Sequence, residues 1–194
     1  MRQEIEIEFK NLLTQQEFEK LKHVFFTESA IPVTQENYYF DTKDFKLKQV
    51  RCALRIRMKE EAAEMTLKTP FEGHHTETTL DLSIDQAKGL IAMGSFPLPE
   101  AIRTVLVKED ILIDQDVSEV GRLKTERLEV EKPHSLIVLD KSYYANTIDY
   151  ELEIESDSKS VGEEFFTQLL MEHAIPKRNT PNKIARAFKA GHSE

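Results

Sequence analysis

The sequence predicts an α+β fold: eight strands in an antiparallel sheet large enough to curl or close, with helices gathered in three groups. Two runs carry that reading. Glu4-Ile5-Glu6-Ile7-Glu8-Phe9-Lys10 and Tyr150-Glu151-Leu152-Glu153-Ile154-Glu155 alternate charge and hydrocarbon without a break. A strand turns successive side chains to opposite faces, so each run puts its carboxylates on one face and its apolar groups on the other. The third observation is that the intervening strand-like segments are mostly joined by short turns, which suits antiparallel neighbours.

The elements follow in order. After the first strand, Thr14 can cap a helix, Glu17 completes a capping box, and Leu13 with Phe18 forms a hydrophobic staple. That helix runs to about Phe26 and buries Phe18, Leu21, Val24 and Phe25. Strands are expected at Glu36 to Asp41, Ala53 to Lys59, Glu64 to Thr69 and His75 to Asp81. Ser83 opens a helix to about Met93, and Pro97 to about Val107 reads as a second, short one. Strands resume at Gly121 to Glu131, Ser135 to Leu139 and Thr147 to Glu155. Two helices close the chain, Val161 to His173 and one begun by Thr180-Pro181 and ended near Gly191.

The 194 residues fit one domain, 1–194, with room for a substantial core. Hydrophobic content is 40% and charged content 31%, ordinary for a soluble protein. A net charge of −9 argues against general nucleic-acid or anionic-membrane binding, though not against a local basic site. Cys52 is the only cysteine, which excludes an internal disulfide and a thiol-ligated metal cluster. With no membrane-length apolar stretch and no signal pattern at the start, the expected compartment is the cytoplasm.

The strand faces carry the functional signal. Leu54, Ile56 and Met58 lie opposite Arg55, Arg57 and Lys59; Met65 and Leu67 lie opposite Glu64, Thr66 and Lys68. Two readings fit this periodicity. The charged face is a solvated surface whose opposite charges pair across strands, or it lines the inside of a barrel. Segregation of sign favours the second. The first and last strands are almost purely acidic on this face, whereas Arg55 and Arg57 have no acid between them and Arg122-Leu123-Lys124 adds more base. Carboxylates that hold divalent cations and bases that grip phosphate oxygens would divide in this way.

These residues resemble the CYTH superfamily, the triphosphate tunnel metalloenzymes, in its small bacillus-type branch. The signature ExExK is met by Glu6, Glu8 and Lys10, and an Arg-x-Arg strand by Arg55 and Arg57. Lys68, an acidic strand at Glu77, Arg122 with Lys124, Leu139-Asp140, Tyr144, the ELEIE run and Asn182-Lys183 follow in the family's order. The resemblance implies an eight-stranded closed antiparallel barrel, a charged tunnel and helices packed outside. It also implies a triphosphatase that uses Mg²⁺ or Mn²⁺ on inorganic tripolyphosphate or a small organic triphosphate. A class IV-like adenylyl cyclase and a non-catalytic triphosphate-binding module are the alternatives. A homodimer is compatible with all three.

The roles implied are these. Glu6, Glu8, Glu151 and Glu153, with Asp140 nearby, hold one or two divalent ions. Arg55, Arg57, Lys68, Arg122, Lys124 and Lys183 hold the phosphates, and Lys10 contacts phosphate or helps activate water. Where the family carries one Glu-x-Glu in the last strand, this chain has three glutamates; Glu151/Glu153 is preferred over Glu153/Glu155. Blander readings stand beside these. Glu4 is a rim residue, Lys59 and Glu64 are solvated, and Glu77 pairs with an arginine or touches the ligand. Arg127, on the opposite face from Arg122, lies at the surface. His74 and His75 are turn residues, Tyr38, Tyr39 and Phe40 pack the strand, and Tyr144 orients Asp140 or joins the core.

Overall fold

The computed structural model describes residues 1–72 and 74–191. Its strands are β1 (Arg2–Leu13), β2 (Val33–Thr42), β3 (Ala53–Met58), β4 (Ala63–Phe71), β5 (His74–Leu82), β6 (Ser95–Phe96), β7 (Val117–Lys132), β8 (Ser135–Tyr144) and β9 (Thr147–Ser156). Its helices are α1 (Gln15–Phe25), α2 (Lys46–Gln49), α3 (Ile84–Met93), α4 (Glu100–Lys108), α5 (Lys159–Glu172) and α6 (Lys183–Gly191). Hydrogen bonding orders the strands β2-β3-β4-β5-β1-β9-β8-β7, and β7 pairs back to β2. Eight strands therefore close an antiparallel barrel, and the two-residue β6 adds to β7 at Val117 and Ser118. Among the described residues no helix is long and apolar enough to cross a membrane.

The chain divides into two compact units, Met1–Ile5 with Gln35–Leu123, and Glu6–Thr34 with Lys124–Glu194. In the first, Leu54, Ile56, Met65 and Leu67 turn one sheet face onto Ala87 of α3 and Ile102 and Leu106 of α4. The Phe40 and Phe96 rings close that core at 4.9 Å between centroids. Helix α3 starts on a capping box between Ser83 and Gln86 and ends at Gly94, whose φ of 68° is the left-handed value that stops a helix at little cost for glycine.

In the second unit Leu139, Leu152 and Ile154 pack against Phe18 and Leu21 of α1 and Phe166 and Leu169 of α5. The capping box of α1 is present: Glu17 N–H donates to Thr14 Oγ1 at 3.2 Å and Thr14 N–H to Glu17 Oε2 at 2.7 Å. Helix α5 touches the sheet at Gly162, where an added Cβ would lie 2.7 Å from both Phe9 Cε2 and Ser156 Cβ. Register then sorts the two faces. Leu128, Leu139 and Leu152 stand side by side across β7, β8 and β9, and so do Arg127, Asp140 and Glu151 one residue away.

Some expectations need correction. Val24 is 53% exposed, because α1 meets the core through Phe18, Leu21 and Phe25. His74 and His75 are the first residues of β5, paired with Phe71 and Pro70. Helix α6 begins at Lys183 and not at Thr180-Pro181, since the Thr180 hydroxyl instead accepts from Leu12 N–H at 2.9 Å. The short α2 and β6 had no clear periodic signal. Three N–H groups at or beside α2, those of Thr42, Leu47 and Lys48, are held by the buried Asp41 carboxylate.

Candidate active site

In the first unit Arg55, Arg57 and Lys68 share the sheet face opposite the core, where Asn37 stands beside Arg57 and Thr66 beside Arg55. Arg57 Nε donates to Asn37 Oδ1 at 3.1 Å, and Arg57 Nη1 lies 3.5 Å from Glu64 Oε1. Lys68 Nζ sits 2.7 Å from Glu77. Glu77 is held below the usual carboxylate range: burial pushes it up, but Lys68, Arg55 and Arg57 more than offset that. Glu64, expected to be solvated, pairs with Arg57 and with Arg2. On this face, among the described residues, one donor is left over. Arg55 Nε is buried without a hydrogen-bond partner, which is costly unless an acceptor arrives.

In the second unit β1 places Glu6, Glu8 and Lys10 along one face, and register sets Glu155 beside Glu8 and Glu153 beside Lys10. Carboxylate oxygens of Glu6 and Glu8 lie within 4.8 Å of one another, and Lys10 Nζ is 2.6 Å from Glu8 Oε1. Burial pushes Glu155 up to about 7, Arg127 opposes the rise, and the charges of Glu153, Glu6 and Glu8 add to it. A cation set among these acids would relieve that repulsion, and carboxylate oxygens suit a hard divalent ion.

Asp140, Glu151 and Glu153 form a second, deeper acid group that is already matched by cations of the chain. Arg127 donates to both oxygens of Asp140, at 2.8 and 2.6 Å, and to Glu153 at 2.7 Å. Lys183 Nζ, brought in by α6, lies 2.9 Å from Asp140 and 3.1 Å from Glu151 and also contacts Glu153. Arg186, one turn further on, pairs with Glu151. Burial works against the charge of Lys183, yet Asp140, Glu153 and Glu151 hold its pKa well above that of an ordinary lysine. Burial and Glu153 lift Glu151 to about 7, with Lys183 opposing; Glu153, although buried, is held well below its usual value by Lys183 and Arg127. Tyr144 donates to Asp149, not to Asp140.

The structure does not bring Arg122 and Lys124 to these acids. Arg122 has 74% of its side chain exposed and pairs with Glu119 at 3.7 Å. Lys124 shares the opposite face from Arg127, beside Tyr143, whose ring it overlies. Arg127, expected at the surface, is 8% exposed. Alternation holds along β7, and register with β8 turns the face of Arg127 towards Asp140. Leu128 and Val130 carried the signal: if they face the core, Arg127 and Glu129 must face the charged side.

The CYTH domain model matches residues 4–188. A protein of Bacillus subtilis (strain 168) named as a candidate triphosphatase, YjbK, is 41% identical over 191 residues, 97% of each chain. A solved structure from Bacillus halodurans, described as a candidate adenylate cyclase, is 36% identical with a TM-score of 0.87, covering 97% of this chain and 100% of that one. A Hippeastrum protein described as a candidate adenylyl cyclase with a dominant triphosphatase activity has a TM-score of 0.70 at 22% identity, covering 96% and 95%; it shares the fold.

Proposed function

We propose that this chain, which belongs to the CYTH domain family, is a divalent-metal-dependent triphosphatase acting on inorganic tripolyphosphate or a small organic triphosphate in the cytoplasm. The observation that carries the proposal is the separation of charge: Arg55 with its unpartnered buried Nε beside Arg57 and Lys68 on one set of strands, and Glu6, Glu8 and Glu155 on another.

Glu6 and Glu8 would hold the cation, with Glu155 or the pair Glu151 and Glu153 as further ligands. When bound, Mg²⁺ or Mn²⁺ neutralises phosphate charge and orders a water for attack. Arg55 and Arg57 offer planar forks for phosphate oxygens, and Lys68 and Lys183 offer point charges. Arg127 takes the inward position that Arg122 and Lys124 were expected to fill; its bonds to Asp140 and Glu153 keep both carboxylates ionised and oriented. Lys10 stands between Glu8 and the Glu153 strand, placed to touch phosphate or the water.

The test is product analysis with tripolyphosphate, thiamine triphosphate and ATP, each with Mg²⁺, Mn²⁺ or EDTA. Orthophosphate from tripolyphosphate, abolished by EDTA, is expected. Cyclisation needs contacts that fix base and ribose so that the 3′-hydroxyl lines up with the α-phosphorus. Cyclic AMP and pyrophosphate as main products, with tripolyphosphate untouched, would overturn the triphosphatase reading; binding without turnover would leave a sensor.

A further inference from the structure

Lys183 reaches the acid group from a helix that no regular element leads into: residues 174–182 between α5 and α6 form no helix or strand. A short helix on such a tether needs other bonds to fix its place. The structure supplies them five residues before Lys183. Arg178 Nη1 and Nη2 donate to the two oxygens of Glu17 at 2.8 and 2.9 Å, and Nη1 also donates to Leu12 O at 2.8 Å. Arg178 N–H donates to Asn11 Oδ1 at 2.6 Å, and Asn11 Nδ2 donates to Pro176 O at 3.1 Å. Leu12 N–H donates to Thr180 Oγ1, so the tether is bonded to Asn11 and Leu12 of β1 and to Glu17 of α1.

A clamp with a fully buried asparagine and a two-pronged arginine–carboxylate pair is stiffer than a loop contact needs to be. It joins the tether to the strand that carries Lys10 and the Glu6–Glu8 acids, and the next turn of chain delivers Lys183 and Arg186 to Asp140, Glu151 and Glu153. We infer that Arg178, with Asn11 and Thr180, is a positioning residue that sets α6 so that Lys183 stands at the acid group and can meet phosphate. The inference rests on the reading of Lys183 as a phosphate-holding residue.

The test compares Lys183→Ala, Arg178→Gln and the double variant on tripolyphosphate with Mg²⁺. Arg178→Gln should raise KM about tenfold and leave kcat within about twofold, because it displaces a binding charge that acts in the ground state as well. Adding Arg178→Gln to Lys183→Ala should change KM no further, since both remove the same interaction. Should Arg178→Gln fail to fold, Thr180→Val against Thr180→Ser decides: the first should raise KM and the second, which keeps the oxygen, should restore it. A lower kcat at unchanged KM would mean lost folded protein and would overturn the inference, as would additive effects in the double variant. Unchanged KM in Lys183→Ala would sink the reading of Lys183 itself, and the inference with it.

Discussion

Arg127→Met removes the buried guanidinium and leaves its acids in place, so it measures how much the inner charge group depends on that one cation. Arg127 makes two bonds to Asp140 and one to Glu153, with Glu129 and Glu155 at 3.6 and 3.8 Å. Removing one member of a buried ion pair costs about 3–5 kcal/mol, because the remaining charge has lost both water and partner. Lys183 still neutralises Asp140 and Glu153, which places the expected loss near 3 kcal/mol. For a chain of this length that is a fall in Tm of about 6–12 °C, against about 1–2 °C if Arg127 were a solvated surface residue. The loss should depend on pH. In the native protein Asp140 and Glu153 titrate below their unfolded values: burial opposes this, but Arg127 and Lys183 win. Their stabilisation is therefore complete above the unfolded value of about 4 and fades as pH falls through the folded one. Without Arg127 both titrate higher, and Glu155, already near 7, higher still. Carboxylates raised in this way stabilise only while protonated, so the gap between native and variant should be widest at pH 7.5 and narrow towards pH 5. Melting followed by circular dichroism at both pH values, in EDTA, is the assay. A fall below about 2 °C at pH 7.5, or a gap that does not change with pH, would refute the assignment of Arg127 as the buried counter-ion.

The same structure makes other outcomes testable. Glu6→Gln and Glu8→Gln should each abolish metal-dependent phosphate release while the fold survives, and Glu6→Gln should raise Tm in EDTA because its charge opposes that of Glu155; unimpaired release in both would reject them as cation ligands. Millimolar tripolyphosphate should raise Tm, as any ligand bound only by the native state does, and Arg55→Ala with Arg57→Ala should blunt the rise. Two helical glycines should respond to alanine with opposite signs. Gly89→Ala, with nothing within 4 Å of the new Cβ, should gain about 1 kcal/mol of helix propensity. Gly162→Ala should lose about 1–2 kcal/mol net, because the methyl group meets Phe9 and Ser156. Equal shifts for the two in chemical denaturation would show that α5 is free to move off the sheet.

Period-two alternation made the strands legible because one face of each is committed to a core. Glu4 to Lys10 and Tyr150 to Glu155 show it most plainly, and both lie within strands that the structure contains. Helix starts were legible where a side chain caps the backbone locally, as at Thr14 and Ser83. The same rule failed at Thr180, whose hydroxyl is taken by Leu12 from a strand 168 residues away in sequence. That is also why the site was only partly legible. Alternation says which residues share a face, but it does not say which face turns inward. In β7 the choice depends on what Leu128 and Val130 meet, and Leu128 meets Leu139 of the next strand. Once that pairing is known, Arg127 must stand beside Asp140, and a residue assigned to water becomes the counter-ion of the acid group. The identity of charged residues was therefore readable along the chain, whereas their partners depended on register, which only the paired strands supply.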